Sequence, residues 1–493
     1  MPDPIKKVVI VGGGTAGWMA AAALSKFLPR HRTSITLIES EAIGTVGVGE
    51  ATIPQIATFN QMLGIDEREF LSRVKGTYKL GIEFRDWGHL GERYFHPFGV
   101  YGWDIQGTDF HHFWKRADSL EVHPDLAAYS LNTAAAYAGK FAKHDGNPRS
   151  PLSRLAHAYH FDASAYAAYL RELAEKAGVR RVEATVREVK QDGETGFIRS
   201  LMIDGGDTVD GDLFIDCTGF YGLLIEQALK SGYADWSDLL PMNRAVAIPC
   251  ERVEEPKPYT IATAREAGWT WRIPLQHRTG NGHVYASSYT DDDEATETLL
   301  QTLDGEPLAE PRFLRFTTGI RKKFWSKNVV AIGLSAGFLE PLESTSIHMI
   351  QSGIAKLLAL FPDARFSSAE REEYNRILTT SFTHIRDFIV LHYIATKRDD
   401  TEFWRDRASL DIPDTLRRKM ELMQSSGRFF RYDDELFSVT SWLAVMQGQG
   451  RGPQDYNPTA DRLSEDNLLR SLTDMRMVID RTVAGMPQHS EAF

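Results

Sequence analysis

A β-branched run, Lys7 to Val11, leads into Gly12-Gly-Gly14-Thr15-Ala16-Gly17 and then into the helix-prone Trp18-Met-Ala-Ala-Ala-Ala-Leu. Strand, G-x-G-x-x-G, helix is the order a dinucleotide-binding fold requires. The glycines let the turn tighten and the backbone approach a pyrophosphate, whose charge then meets the helix N-terminus. A second strand, Ser34 to Ile38, ends at Glu39, where an acidic residue accepts from a ribose hydroxyl. The alternative is a Rossmann scaffold emptied of its ligand. Both strands, the helix and the acid are present together, which favours a bound dinucleotide.

Two later stretches point to FAD rather than NAD. Gly211-Asp-Leu-Phe-Ile-Asp216-Cys-Thr-Gly219 reads as a strand entering a glycine, and Val329 to Gly337 reads as another. A chain that returns this late to the same sheet builds a discontinuous domain around an elongated ligand. Between Glu39 and Lys79 lies a glycine-rich strap, Gly44-Thr-Val-Gly47-Val-Gly49-Glu50-Ala51-Thr52-Ile-Pro54, either a surface loop or a loop laid against a ligand. The fold class expected is α/β: a Rossmann-like FAD-binding module of the glutathione-reductase or hydroxylase type, with an interleaved sheet layer. Residues 1–360 form this discontinuous module, with substrate-side inserts at about 86–160 and 241–316, and residues 361–493 form a mainly helical lid module.

Phe338-Leu339-Glu-Pro341-Leu-Glu343-Ser344-Thr345-Ser346 follows the buried strand and glycine turn Gly333-Leu-Ser-Ala-Gly337. Such a turn leaves backbone N–H groups pointing into a crevice. Read alone, Glu-Ser-Thr-Ser could simply cap the next helix, Ile347 to Leu360. Asp66 to Tyr78 has helical character, which places Lys75 and Lys79 four residues apart on one face. The segment Tyr94-Phe-His96-Pro-Phe98 to Trp114 is rich in aromatic and imidazole rings, with Gly and Pro interleaved. It reads as a loop lining a flat apolar pocket. His111 and His112 show no partner at metal spacing, so no metal site is read. Residues 131–158 look mobile or insertion-like. In Gly268-Trp269-Thr-Trp271-Arg-Ile273-Pro274 the two tryptophans share a strand face and form one flat wall.

The chain has 493 residues, 42% hydrophobic and 25% charged, as in ordinary globular proteins. Its 56 basic and 67 acidic residues leave a net charge of −11, which argues against nucleic-acid binding. Two cysteines, Cys217 and Cys250, make no disulfide framework, and a reducing cytoplasm is the expected compartment. No apolar run reaches the roughly 18 residues of a membrane span, and the first strand begins too early for a signal peptide.

Taken together, these motifs resemble the flavin-dependent tryptophan halogenase family across nearly the whole chain. W-x-W-x-I-P reads here as Trp269, Trp271, Ile273 and Pro274. F-x-x-P-x-x-S-x-G reads as Phe338, Pro341 and Ser344, with Ser346 where glycine is usual. The Gly12/Gly14/Gly17 fingerprint, Gly49-Glu50-Ala51-Thr52 and Tyr78-Lys79-Leu-Gly also match. The resemblance implies that a separate NAD(P)H-dependent reductase supplies FADH2, by diffusion, and that halide and O2 yield hypohalous acid at the flavin. It assigns Gly12, Gly14, Thr15, Ala16, Gly17, Glu39, Gly49, Ala51, Gly333 and Leu339 to FAD. Thr345 and Ser346 fall to the halide, bromide or chloride. Lys79 holds the oxidant or becomes a haloamine, and Glu343 stabilises the ring cation, orients the oxidant or removes the proton. Trp269 and Trp271 partition flavin from substrate, while His96, Phe98 and Trp442 sandwich a small aromatic. A homodimer is the candidate assembly.

One departure concerns the head-group lid of enzymes acting on free tryptophan. An ungapped placement anchored on Trp442 puts Phe430, Arg431 and Phe437 where tyrosines and a glutamate are usual. A bare indole, another electron-rich heteroarene or an indole within a larger molecule is favoured instead. Ser346 beside the halide leads to an expected preference for bromide. A flavin monooxygenase that hydroxylates or epoxidises an aromatic is the alternative. A mere FAD-binding scaffold would leave Lys79 and Glu343 without purpose.

Overall fold

The computed structural model describes residues 3–42 and 49–493. The strap positions Gly44 and Gly47 lie outside the described residues. Two compact units form from interleaved segments: Met1–Lys75, Phe161–Asn243 and Arg315–Thr383 make the first, and Gly76–His160, Arg244–Leu314 and His384–Phe493 the second.

The first unit is built on a six-stranded sheet. Its spatial order is Trp325–Ser326, Val329–Ala331, Leu213–Asp216, Lys7–Val11, Ser34–Glu39 and Arg180–Glu183. Only the short Trp325–Ser326 strand runs antiparallel; the other pairings are parallel. The two late strands therefore return beside the first one, which makes the sheet discontinuous in sequence. The central strand is buried from Val8 to Val11, as both faces of a parallel sheet are covered. Helices Thr15–Phe27 and Ala163–Lys176 pack on one another, and the former also meets Ser346–Ala359.

A fully buried carboxylate stitches the C-terminal ends of these strands. Asp216 accepts from the backbone N–H groups of Thr218, Leu224 and Ile225 at 3.0, 2.7 and 2.8 Å, and from the Thr218 hydroxyl at 2.6 Å. Ser335 donates its hydroxyl to the Asp216 carbonyl, tying the third strand's turn to the same point. Charge-assisted bonds of this kind are roughly twice as strong as neutral ones.

The second unit holds a seven-stranded sheet, ordered Arg312–Arg315, Arg244–Ala247, Thr279–Tyr285, Gly268–Pro274, Thr260–Arg265, Gly81–Arg85 and Arg93–Pro97. Helices Glu402–Ala408, Asp414–Ser426, Val439–Gly448 and Glu465–Ala484 belong to the same unit. By packing, residues 361–383 fall in the first unit and residues 384–493 in the second, together with the segments 76–160 and 244–314. Packing explains the division of helix Ser368–Ile394. Its Tyr374 meets Trp325 edge-on at 5.6 Å and its Phe382 stacks on Phe324 at 5.3 Å, whereas Phe388 and His392 serve the second unit.

Three local expectations change. The helix expected over Asp66 to Tyr78 spans only Glu67–Arg73, capped by the Asp66 carboxylate on Glu69 N–H at 2.9 Å. Lys75 then takes a left-handed backbone (φ 52°) and Gly76 releases the chain into strand Thr77–Lys79, so Lys75 and Lys79 share no helix face. The aromatic segment is not a loop. It contributes the edge strand Arg93–Pro97 and the helix Phe110–Asp118, whose buried rings fill core positions. Residues 131–158 carry the helix Leu131–Tyr137, capped by Ser130, and buried Asn132 donates to the carbonyls of Leu80 and Ala156 at 2.9 and 2.6 Å. Those two bonds anchor the segment. Among the described residues no helix is long and apolar enough to cross a membrane.

Candidate active site

In the first unit each fingerprint glycine has a distinct steric reason. Gly12 has φ 110°, and a Cβ there would lie 2.2 Å from the Cys217 carbonyl oxygen. A Cβ on Gly17 would meet the Gly12 carbonyl oxygen at 1.8 Å, so helix and turn close only without one. Gly14, by contrast, faces open space and caps helix Thr15–Phe27 with no side-chain hydrogen bond. The first-turn N–H groups there are ready for an anion. Glu39 reaches over Gly13, accepting from Trp18 Nε1 at 3.3 Å and from Arg181 Nε. Gly333 (φ 77°) fits against Ala16, whose Cβ would be 2.7 Å from an added methyl. Thr15 donates its hydroxyl to Ala163 O at 3.5 Å. Gly49 and Ala51 lie on the short strand Gly49–Ala51, and Leu339 is buried. Tight first and third glycines around an open second one fit a dinucleotide pyrophosphate.

Glu343 closes the turn Pro341–Glu343 and is 1% exposed. Ser344 follows with a left-handed backbone (φ 59°), at a cost of about 1 kcal/mol for a residue bearing a Cβ. That reversal starts helix Ser346–Ala359 at once, with Thr345 as its N-cap and no side-chain cap bond. Thr345 and Ser346 therefore sit at a helix N-terminus, where backbone N–H groups and the dipole favour an anion.

In the second unit Lys79 ends strand Thr77–Lys79, which pairs antiparallel with Ala158 through His160. Its side chain has no solvent exposure, and Nζ lies 5.0 Å from the centroid of the Phe98 ring. A lysine is seldom so deeply buried. His160 stands in the same strand pair. Burial first, then the charge of Lys79, hold its pKa well below the ordinary imidazole value. Its Nδ1 and Nε2 bond the hydroxyls of Thr77 and Thr260, each at 3.0 Å.

An aromatic cluster lies in the same unit. His96 on the strand Arg93–Pro97 and Trp442 on the helix Val439–Gly448 are both buried, and both touch Phe388, at 5.9 and 5.6 Å between ring centroids. Phe437 stacks on Phe388. Phe388 escaped the sequence reading because it sits inside a helix with no motif around it. Near Trp442, Lys419 pairs with Glu435 and its ammonium lies 4.9 to 5.5 Å from the rings of Phe429, Tyr432 and Trp442. Of the head-group positions, Phe430 is exposed, Arg431 donates to the Glu435 carbonyl, and Phe437 is buried. Trp269 and Trp271 are buried on strand Gly268–Pro274, with rings 6.1 Å apart and tilted by 56°.

The paired histidines do acquire an acidic neighbour, contrary to the spacing argument. Ligand atoms of Asp109, His111 and His112 lie within 4.8 Å of one another. Hydrogen bonds engage one nitrogen of each ring. His111 Nε2 meets Gly427 O at 2.6 Å, and His112 Nδ1 accepts from Asn457 N–H at 3.2 Å. His112 then carries its proton on Nε2 and offers no lone pair to a cation. Burial, with His111 adjacent, pushes its pKa down to about 3. These two bonds tie helix Phe110–Asp118 to the chain at Gly427 and Asn457.

Comparison with known proteins places these features in one family. The tryptophan halogenase family model matches residues 7–465. Tryptophan 6-halogenase SttH of Streptomyces toxytricini is 37% identical over 475 residues, covering 90% of this chain and 89% of its own. Xcc4156, a flavin-dependent halogenase from Xanthomonas campestris, superposes with a TM-score of 0.95 at 48% identity, over 99% of this chain and 97% of its own. BrvH, a flavin-dependent halogenase from Brevundimonas sp. BAL3, gives 0.95 at 46% identity, over 99% and 98%. The chain is therefore a member of the flavin-dependent tryptophan halogenase family, whose oxidative reaction uses flavin and halide.

Proposed function

We propose that this enzyme halogenates an electron-rich aromatic, an indole or a molecule carrying one, and that it does so without gripping an amino-acid head group. The observation that carries this reading is Lys79, wholly buried, with its ammonium over the Phe98 ring. Reduced flavin, when bound, supplies the electrons: FADH2, O2, halide and a proton give FAD, water and hypohalous acid. The aromatic then exchanges one hydrogen for halogen and releases a second water.

Within that balance the chain's residues have separate tasks. The turn at Gly12, Gly14 and Gly17, with Thr15 and Ala16 opening the helix, binds the pyrophosphate, and Glu39 accepts from the ribose. Gly49, Ala51, Gly333 and Leu339 shape the remaining walls of the flavin site. Backbone N–H groups at Thr345 and Ser346 hold the halide. Lys79 retains hypohalous acid, either by donating a hydrogen bond to its oxygen or by exchanging a proton for halogen to give a haloamine. Glu343 takes the ring proton or offsets the positive charge that develops as the carbon–halogen bond forms. Trp269 and Trp271, tilted by 56° and so not the one flat wall expected, still present two adjacent indoles that resist passage of an aromatic substrate. His96, Phe98 and Trp442 flank that substrate.

Lys419 supports the indole reading over an amino acid. It already lies over the Phe429 and Tyr432 rings and neutralises Glu435, leaving neither those rings nor that carboxylate for a substrate ammonium. A separate NAD(P)H-dependent flavin reductase, in the cytoplasm, is the source of FADH2.

The test is turnover with a generic flavin reductase, NADH, O2 and either halide on a panel of indole, indole-bearing peptides and free tryptophan. Mass spectra with a halogen isotope pattern on the indoles support the reading. Addition of oxygen, or turnover of tryptophan alone, overturns it.

A further inference from the structure

His489 is 1% exposed, in the short turn His489–Glu491, far along the chain from every motif above. Both ring nitrogens are used. Nε2 accepts from the backbone N–H of Tyr78 at 3.1 Å, and Nδ1 donates to the Pro256 carbonyl at 2.7 Å. The ring packs 6.4 Å from those of Tyr78 and Phe141 and 5.1 Å from that of Phe493. Its own backbone is fixed as well, since His489 N–H donates to Gly139 O at 2.9 Å and Phe141 N–H to Pro487 O at 3.3 Å. Burial keeps the imidazole neutral, with a pKa pushed down to about 4, so Nε2 retains its lone pair at neutral pH.

Strand geometry explains what this bond does. Thr77–Lys79 is an edge strand whose one neighbour is Ala158–Asp162. Alternate N–H groups of a strand point to opposite sides, so those of Tyr78 and Leu80 share an edge. Leu80 N–H finds Pro258 O at 2.7 Å, and Tyr78 N–H finds the His489 ring. Among the described residues no third strand covers that edge at Tyr78. The imidazole supplies the acceptor that a strand would otherwise provide. A slip of one residue would turn Lys79 to the opposite face of the strand.

We propose that His489 is a positioning residue for halogenation, locking the register of the strand that carries Lys79. This rests on the role given to Lys79 above. With the bond lost, the flavin chemistry proceeds as before, but the oxidant is no longer held where the aromatic can take it. Product falls while hypohalous acid escapes.

The experiment compares wild type, His489→Phe, His489→Gln and Lys79→Ala, each with FADH2, O2, bromide and indole. It reads bromoindole formed per FADH2 oxidised, and methionine sulfoxide from added methionine as the trap for escaped oxidant. His489→Phe keeps the ring packing and removes both bonds; their loss is expected to cut the product ratio about tenfold. Sulfoxide should rise in step, at an unchanged rate of flavin oxidation. His489→Gln, whose amide can accept from Tyr78 and donate to Pro256, should recover most of the ratio. A His489→Phe ratio equal to wild type, whatever its Tm, overturns the proposal. Should His489→Phe not fold, His489→Asn, which reaches Pro256 but not Tyr78, decides on the same ratio. Lys79→Ala separates the two readings. If it still brominates indole, the role of Lys79 and this inference both fail. If it is inactive while His489→Phe remains coupled, only the inference fails.

Discussion

Phe437 stacks on Phe388 with ring centroids 3.9 Å apart and planes 21° from parallel. Phe388 also touches His96 and Trp442, so Phe437 fills the place beside two of the rings assigned to the substrate. Phe437→Ala should therefore open space beside His96 and Trp442. We expect kcat/KM for a bulky indole to rise relative to bare indole by about tenfold, with stability lowered by about 3 kcal/mol. Competition between the two substrates and thermal melts measure both effects. A fall for both substrates in equal proportion would mean that Phe437 only supports the fold.

Lys79→Ala should abolish halogenation while FAD binds and FADH2 is oxidised at the wild-type rate. The residue acts on the oxidant after it has formed, so the two activities separate. Oxygen uptake and product mass, measured on the same sample, check this. Retention of about a tenth of wild-type halogenation, a loss of only some 1.4 kcal/mol, would remove Lys79 from the mechanism.

Glu343→Gln preserves shape and hydrogen-bonding reach but removes the charge. Turnover should drop by about a hundredfold or more with KM little changed, the pattern of an interaction made in the transition state. A raised KM with unaltered kcat would make Glu343 a binding contact instead.

Much of the first unit was legible in the chain itself. Gly12 and Gly17 announce a cradle because no other residue fits the approach of Cys217 and the closure of helix on turn. The late return to the sheet was visible in the runs ending at Asp216 and Gly337. Lys79 was reached by motif resemblance, whereas its local structure was misread. The helical pattern from Asp66 continues past Arg73, and only the left-handed Lys75 and the Gly76 after it break it. Phe388 and His489 left no signal. One is an apolar position in a long helix, and the other acts through a partner more than four hundred residues away.

Halide choice is expected to follow Ser346. A Cβ and hydroxyl at the start of helix Ser346–Ala359 alter the ring of donors around the anion, and chloride, the more strongly hydrated ion, depends more on a tight ring. Bromide should be used better than chloride at equal concentration, and Ser346→Gly should shift the ratio toward chloride. Product ratios from direct competition settle the matter. Chloride preference in the wild type would contradict the expectation, and an unchanged ratio in Ser346→Gly would contradict its cause.

Acid should destabilise the fold through its buried histidines; Glu50, its pKa pushed up by burial to about 7, works in the opposite sense over part of the same range. Burial lowers the pKa of His283 and His489 to about 4 and that of His160 well below its ordinary 6.5. Between about 6.5 and 4 the unfolded chain binds protons that the native state refuses, so stability rises with pH through this window. It is fully present above about 6.5 and lost as pH falls. His283 and His489 account for on the order of 3 kcal/mol apiece. Tm measured from pH 7.5 downward should fall steeply, and less steeply in His489→Gln. A flat profile would refute the burial of these rings as neutral bases.

Trp271 lies opposite Gly282 on the neighbouring strand, and a methyl group on Gly282 would sit 2.1 Å from the indole ring. The pose of the indole is thus dictated by a missing side chain on another strand. Gly282 in turn is free to vary only as far as the ring above it can tilt. Any lineage that shifts the packing of this tryptophan pair can do so through this silent position, leaving both tryptophans intact. Two sequences with identical indoles here can therefore hold them in unlike poses.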